Sequence, residues 1–190
     1  MKTRFLFIAI CMFASSQYLC AQNFDFRNVT WGMDSSHVKQ AEKAKYIDSK
    51  NNRIVYSVKL DNQDAKIFFY FTSGNQLYKA FYMMNLESKN PSVFVKNYLM
   101  MQELLTEKYH APYSNSAKTI NGRTITPEEW ASNLVSDNLN LETKWKTDKT
   151  DIGLCLYSLS DELILEISYT SLEFEKKSDI EKRNVLLKDL

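Results

Sequence analysis

Residues Arg53–Met84, RIVYSVKLDNQDAKIFFYFTSGNQLYKAFYMM, decide the fold. Ile54, Tyr56, Val58 and Leu60 alternate with Val55, Ser57 and Lys59, the period of a half-buried strand. Asp61-Asn62-Gln63-Asp64 reads as a turn, and Ala65–Thr72 is apolar on both sides, as a central strand would be. Ser73-Gly74-Asn75-Gln76 is a tight hairpin signal, and Gln76–Met84 completes a three-stranded meander. The expected register sets Leu60 opposite Ala65, which pairs Val58 with Ile67, Tyr56 with Phe69 and Ile54 with Phe71. With Ser73 opposite Gln76, Phe71 meets Tyr78, Phe69 meets Ala80 and Ile67 meets Tyr82. All these pairs share one face, as a sheet with one buried side requires.

A second meander is expected further on. Leu141, Thr143 and Trp145 alternate with Glu142, Lys144 and Lys146, and Asp148–Asp151 turns the chain. Ile152, Leu154 and Leu156 alternate with Gly153, Cys155 and Tyr157. After Ser160-Asp161 comes the alternation of Leu163, Leu165, Ile167 and Tyr169. Before the first meander, Asp34 caps a short helix carrying Val38 and Ala41, extending to about Lys45. Between the meanders, Asn90-Pro91 opens a helix whose stripe is Phe94, Tyr98, Met101, Leu105 and Tyr109, and Pro112 stops it. Residues 111–140 read as an insertion, with an Asn121-Gly122 turn and a Thr126-x-x-Glu129 capping box ahead of Trp130 and Leu134. A C-terminal helix is expected at about 179–188.

The expected fold class is therefore α+β: two helix-plus-three-stranded antiparallel meander units with the helices packed on one sheet face. The first unit spans about 31–85, the second about 91–169, and both belong to a single domain at 22–190. Residues 1–21 read as a signal peptide. Lys2 and Arg4 precede an apolar run from Phe5 to Ala14, too short to span a bilayer, and cleavage is expected between Ala21 and Gln22. The expected address is secreted or periplasmic. Cleavage removes Cys11 and Cys20, so Cys155 is the one thiol left and no internal disulfide can form.

Composition excludes several classes. The 190 residues hold only 4 Gly, and neither a G-x-G-x-x-G turn nor a Walker A loop occurs. Two His and 3 Cys leave little for a zinc site. With 24 basic and 23 acidic residues the net charge is +1, which gives no electrostatic case for nucleic acid. Losing Lys2 and Arg4 brings it to −1. No cofactor or metal is expected, and the mature chain carries no transmembrane segment.

Phe26-Arg27-x-x-x-Trp31-Gly32-Met33, followed by a capped helix, resembles the opening of small secreted bacterial domains of unknown function. Lys108-Tyr109-His110-Ala111-Pro112 resembles their K-Y-G-x-P helix ending, with His where they carry Gly. Trp145, Ile152-Gly153-Leu154 and Ile167-Ser168-Tyr169 match their later strand pattern. The helix-and-meander order is also similar to SmpA-type envelope proteins and tandem-repeat β-lactamase inhibitor proteins, at the level of fold. These resemblances imply an envelope or secreted domain and carry over no catalytic residue.

The expected function is a non-catalytic binding domain engaging an envelope protein, a peptide or a glycan. The alternative is a small secreted hydrolase using His110 with Cys155 or a serine. His37 is expected at a helix start, and the paired acids Glu128-Glu129 and Asp161-Glu162 at a helix cap and a turn. The candidate interaction surface is the second face of the first meander, with Phe68, Tyr70, Leu77, Phe81 and Met83 beside Val55, Lys59, Lys66 and Lys79. Either Phe24, Phe26, the insertion or another strand covers this face, or it is open for binding. Arg123 and Trp130 in the insertion form a second candidate surface.

Overall fold

Among the described residues, one antiparallel sheet of eight strands forms the body of the protein, in the order β1-β2-β3-β4-β8-β7-β6-β5. The computed structural model describes residues 24–60, 63–84, 90–136, 138–159 and 162–189, so the expected signal peptide and its cleavage point lie outside the described residues. The strands are β1 (Lys45–Lys50), β2 (Arg53–Leu60), β3 (Gln63–Phe71), β4 (Leu77–Met84), β5 (Ser114–Thr119), β6 (Leu139–Lys146), β7 (Thr150–Leu159) and β8 (Glu162–Ser171). The helices are α1 (Ser35–Ala41), α2 (Pro91–Tyr109), α3 (Trp130–Val135) and α4 (Leu172–Asp189), with a 3-10 turn at Pro127–Glu129 ahead of α3.

The broad class is α+β, but the expected pair of three-stranded units is overturned. Strand β4 pairs along its free edge with β8, from Lys79 opposite Thr170 to Met84 opposite Leu165, and this seam fuses both meanders into one sheet. Each half also has a fourth strand. Strand β1 occupies a stretch that begins where the first helix was expected to end. That helix stops at Ala41 because Glu42 turns extended, and Tyr46 and Ile47 carry strand-forming side chains. All six residues of β1 are exposed, so no alternation of burial marks it. Strand β5 comes from the stretch read as an insertion and pairs with β6 from Ser114–Lys144 to Thr119–Leu139.

Register differs in one place and is interrupted in another. Strands β2 and β3 pair two residues out from expectation, with Leu60 opposite Gln63, Val58 opposite Ala65 and Tyr56 opposite Ile67. A two-residue slip leaves every side chain on its own face, so the buried side is unchanged. Between β3 and β4, Ile67 meets Tyr82 and Phe69 meets Ala80 as expected, but a bulge at Tyr70/Phe71 sets Phe71 opposite Leu77.

The front face holds the core. Ile67, Phe69, Leu141, Trp145, Leu154, Leu156 and Leu165 are fully buried there. Phe26 from the lead-in segment closes this face over the first half, with its ring 5.7 Å from Phe69, 5.2 Å from Tyr82 and 4.9 Å from Tyr169. Helix α2 closes it over the second half. Asn90 caps α2 by accepting the Ser92 N–H, Pro91 begins it, and Phe94, Tyr98 and Leu105 are buried. The Tyr98 hydroxyl meets Thr143 Oγ1 at 2.6 Å, which ties α2 to β6. Trp130 of α3 packs edge-on against Tyr98. Helix α4 starts at Leu172, well before Asp179, because Ser171 Oγ accepts the Phe174 N–H and supplies a cap the sequence pattern did not flag.

Candidate functional site

The back face is built from the alternate residues of the same strands. In the first half, Val55, Phe68 and Phe81 stand in one row across β2, β3 and β4, and Arg53, Tyr70 and Lys79 in the next. The Phe68 and Phe81 rings stack at 4.7 Å with 16° between their planes, and Tyr70 stacks on Phe81 at 5.7 Å. The Arg53 guanidinium lies 5.6 Å from the Phe68 ring and the Lys79 ammonium 5.5 Å from that of Phe81. Cations at this range are attracted to the ring faces. None of these aromatic residues belongs to the core cluster. Val55 and Phe68 are buried by their neighbours, whereas Tyr70, Phe81 and Met83 are half-exposed and Lys66 is exposed.

The expected candidate residues divide accordingly. Phe68, Tyr70, Phe81 and Met83 come together on the back face. Leu77 does not, because the bulge turns it into the front core, where it is fully buried. Of the two residues expected to cover the back face, Phe26 is part of the front core and Phe24 is exposed. Arg123 and Trp130 form no shared surface with this face. Arg123 is exposed and pairs with Glu129 at 3.2 Å, while Trp130 packs partly buried on α2. Arg53, missed by the sequence reading, stands beside Tyr70. Its position at the start of β2, two residues before Val55, was the signal.

The second half of the back face is polar. Met83, Glu166, Cys155, Glu142 and Ser116 align across five strands. Lys144 pairs with Glu142 at 2.9 Å and the Tyr157 hydroxyl donates to Glu166 at 3.2 Å. Burial, then the Glu142 and Glu166 carboxylates, push the Cys155 thiol up to about 12, so it stays protonated at neutral pH. A protonated thiol is a poor nucleophile. His110 does not meet it: Cys155 faces the back, and His110 caps α2, which packs on the front. His37 Nδ1 lies 2.7 Å from Asp34 Oδ2, and the same carboxylate caps α1. The His37 backbone N–H and then its ring hold the Asp34 carboxyl below the usual range. Glu129 bonds the Thr126 N–H at 3.0 Å in the expected capping box. Asp161 lies outside the described residues. Among the described residues, no group of three or more His, Cys, Asp and Glu could hold a metal, and no helix is long and apolar enough to cross a membrane.

The F-R-x-x-x-W-G-M segment has a structural account. Arg27 bonds both oxygens of buried Glu42, at 2.8 and 3.1 Å. The Trp31 indole donates to Thr150 Oγ1 at 2.9 Å. Gly32 has φ +82°, and a Cβ there would fall 2.5 Å from Phe174 Cζ, so only glycine fits without moving that ring. The Gly32 N–H donates to the Leu77 carbonyl and the Leu77 N–H to that of Met33. The segment thus straps the lead-in to β4, β7 and α4.

No protein-family model matches the chain, and no curated protein does either. The motif resemblances therefore stand on their residues alone.

Proposed function

We propose that this protein is a non-catalytic binding domain working outside the cytoplasm. The back face of strands β2–β4 docks an acidic, apolar-tipped segment of an envelope protein. The observation that carries this reading is the Phe68–Phe81–Tyr70 stack, whose Phe81 and Tyr70 rings are half-exposed and have cations set around them. Asp48 lies 3.7 Å from Arg53 and Asp64 3.2 Å from Lys59, whereas Lys66 and Lys79 have no carboxylate within ion-pair reach among the described residues. Half-buried aromatics and arginine are the residues that dominate protein interfaces, and unpaired lysines around them select for negative charge.

Ring orientation favours a protein over a glycan. Sugars are held against open ring faces, but here the faces of Phe68 and Phe81 are taken up by one another, by Tyr70 and by the two cations. An apolar side chain can still pack against the ring edges, and an acidic neighbour can reach Lys66 and Lys79.

The test is crosslinking in the native envelope with wild type and with Phe81→Glu. The wild type should yield a discrete adduct with an acidic protein. The variant should lose it while its denaturation midpoint stays close to that of wild type. An undiminished adduct would remove the back face from the function, and retention of a polysaccharide instead would replace the protein reading.

A further inference from the structure

A cleft of about 660 Å³ opens on the front side, away from the aromatic back face. Its walls are the lead-in, the last turn of α2 and the β6–β7 turn, and its floor is Phe26, Tyr82, Tyr169 and Ile152. The residues that matter are the hydrogen-bond donors. The Tyr82 hydroxyl accepts from Arg27 Nη1 at 3.3 Å, which leaves its own proton without an acceptor among the described residues. The Tyr169 ring packs edge-on against that of Tyr109, with centroids 6.3 Å apart, and burial holds its hydroxyl protonated. The residues Tyr82 and Tyr169 are only 9% and 8% exposed. Lys108 lies over the Tyr109 ring at 5.0 Å, and neither Lys108 nor Lys149 has a carboxylate within ion-pair reach among the described residues.

Two carboxylates also line the cleft. Asp25 accepts the Trp31 N–H at 2.9 Å, so one of its oxygens is already used. Asp148 is exposed on the β6–β7 turn. They balance the two lysines in charge, so what the cleft has in surplus is directed donors rather than net positive potential. A hydroxyl proton that faces the cleft can donate to a ligand oxygen. We infer that this cleft binds a small aromatic monoanion, its ring against Phe26 and Ile152 and its acidic group between the Tyr82 hydroxyl and Lys149. The aromatic floor can seat a ring while the polar walls hold its acidic group. A monoanion suits the balanced rim better than a dianion would.

The probe is 8-anilinonaphthalene-1-sulfonate, an aromatic monoanion whose fluorescence rises on binding. The full-length mature chain should bind it saturably at one site, and benzoate should displace it while benzylamine does not. Lys149→Ala removes only an exposed turn side chain, so it leaves the fold intact, and it should weaken binding by about tenfold, the worth of one charged hydrogen bond. Adding Tyr82→Phe should weaken it further. Phe81→Glu on the back face should leave it unchanged, which separates this site from the proposed docking face. No saturable binding, equal displacement by benzylamine, unchanged affinity in Lys149→Ala, or loss of binding in Phe81→Glu would each overturn the inference.

Discussion

The two faces of β3 show how one strand serves two purposes. Ile67 and Phe69 point to the front and are fully buried, whereas Phe68 and Tyr70 point to the back, where Tyr70 stays half-exposed. Phe68 and Phe69 are the same residue type, so at these two positions composition does not separate the faces. What separates them is the cover: Phe26 and α2 close the front, and the back is packed by its own strands. An apolar strand therefore tells that both faces avoid water in part, and only the cover tells which one is the core.

The largest effect expected from this contrast comes from a pair of truncations. Trp145→Ala on the front should cost about 4 kcal/mol, as for a fully buried large aromatic. Phe81→Ala on the back should cost about 1 kcal/mol, since the ring is half-exposed and loses mainly its stacking. Urea denaturation measures both, and equal losses would break the distinction between the faces. Next is the strap that makes the cover. Arg27→Ala leaves the buried Glu42 carboxylate without its bidentate partner and should cost about 3 kcal/mol. Arg27→Lys should recover only part of that, because an ammonium cannot bond both oxygens in the same plane. Full recovery with lysine would show that charge alone holds the strap. The smallest effect is a gain. His110 ends α2 at φ 68° and ψ −159°, a region that suits glycine. His110→Gly should therefore stabilise the front cover by about 1 kcal/mol in thermal denaturation. A loss would mean the imidazole makes a contact that outweighs the backbone strain.

Much of this was legible in the sequence, for identifiable reasons. Period-two alternation in 53–84 and 141–169 is strong, so the strands of both meanders could be drawn, and Asn90-Pro91 marked the start of α2. The back-face set of Phe68, Tyr70, Phe81 and Met83 followed from parity alone. Three features were not legible. Strands β1 and β5 lie at the sheet edges with mostly exposed or half-exposed residues, so hydrophobic pattern has nothing to record there. The bulge at Tyr70/Phe71 shifts Leu77 to the other face without leaving a residue signal. The β4–β8 pairing joins distant segments, and alternation specifies which face a side chain takes but not which strand lies alongside. The cleft was hidden for the same reason: Arg27, Tyr82, Tyr109, Lys149 and Tyr169 come from five separate segments.

The seam between β4 and β8 also orders assembly in time. The outer edge of β4, Lys79–Met84, is made early in the chain, yet its partner is the last strand, after α2 and β5–β7. Closing so long a loop makes this a late and slow step of folding. Until it closes, β4 offers an unpaired edge to the β8 of any nearby copy as readily as to its own. Crowded chains that exchange β8 and α4 in this way would form a reciprocal dimer with every native pairing kept, and dilution during refolding is what favours the monomer.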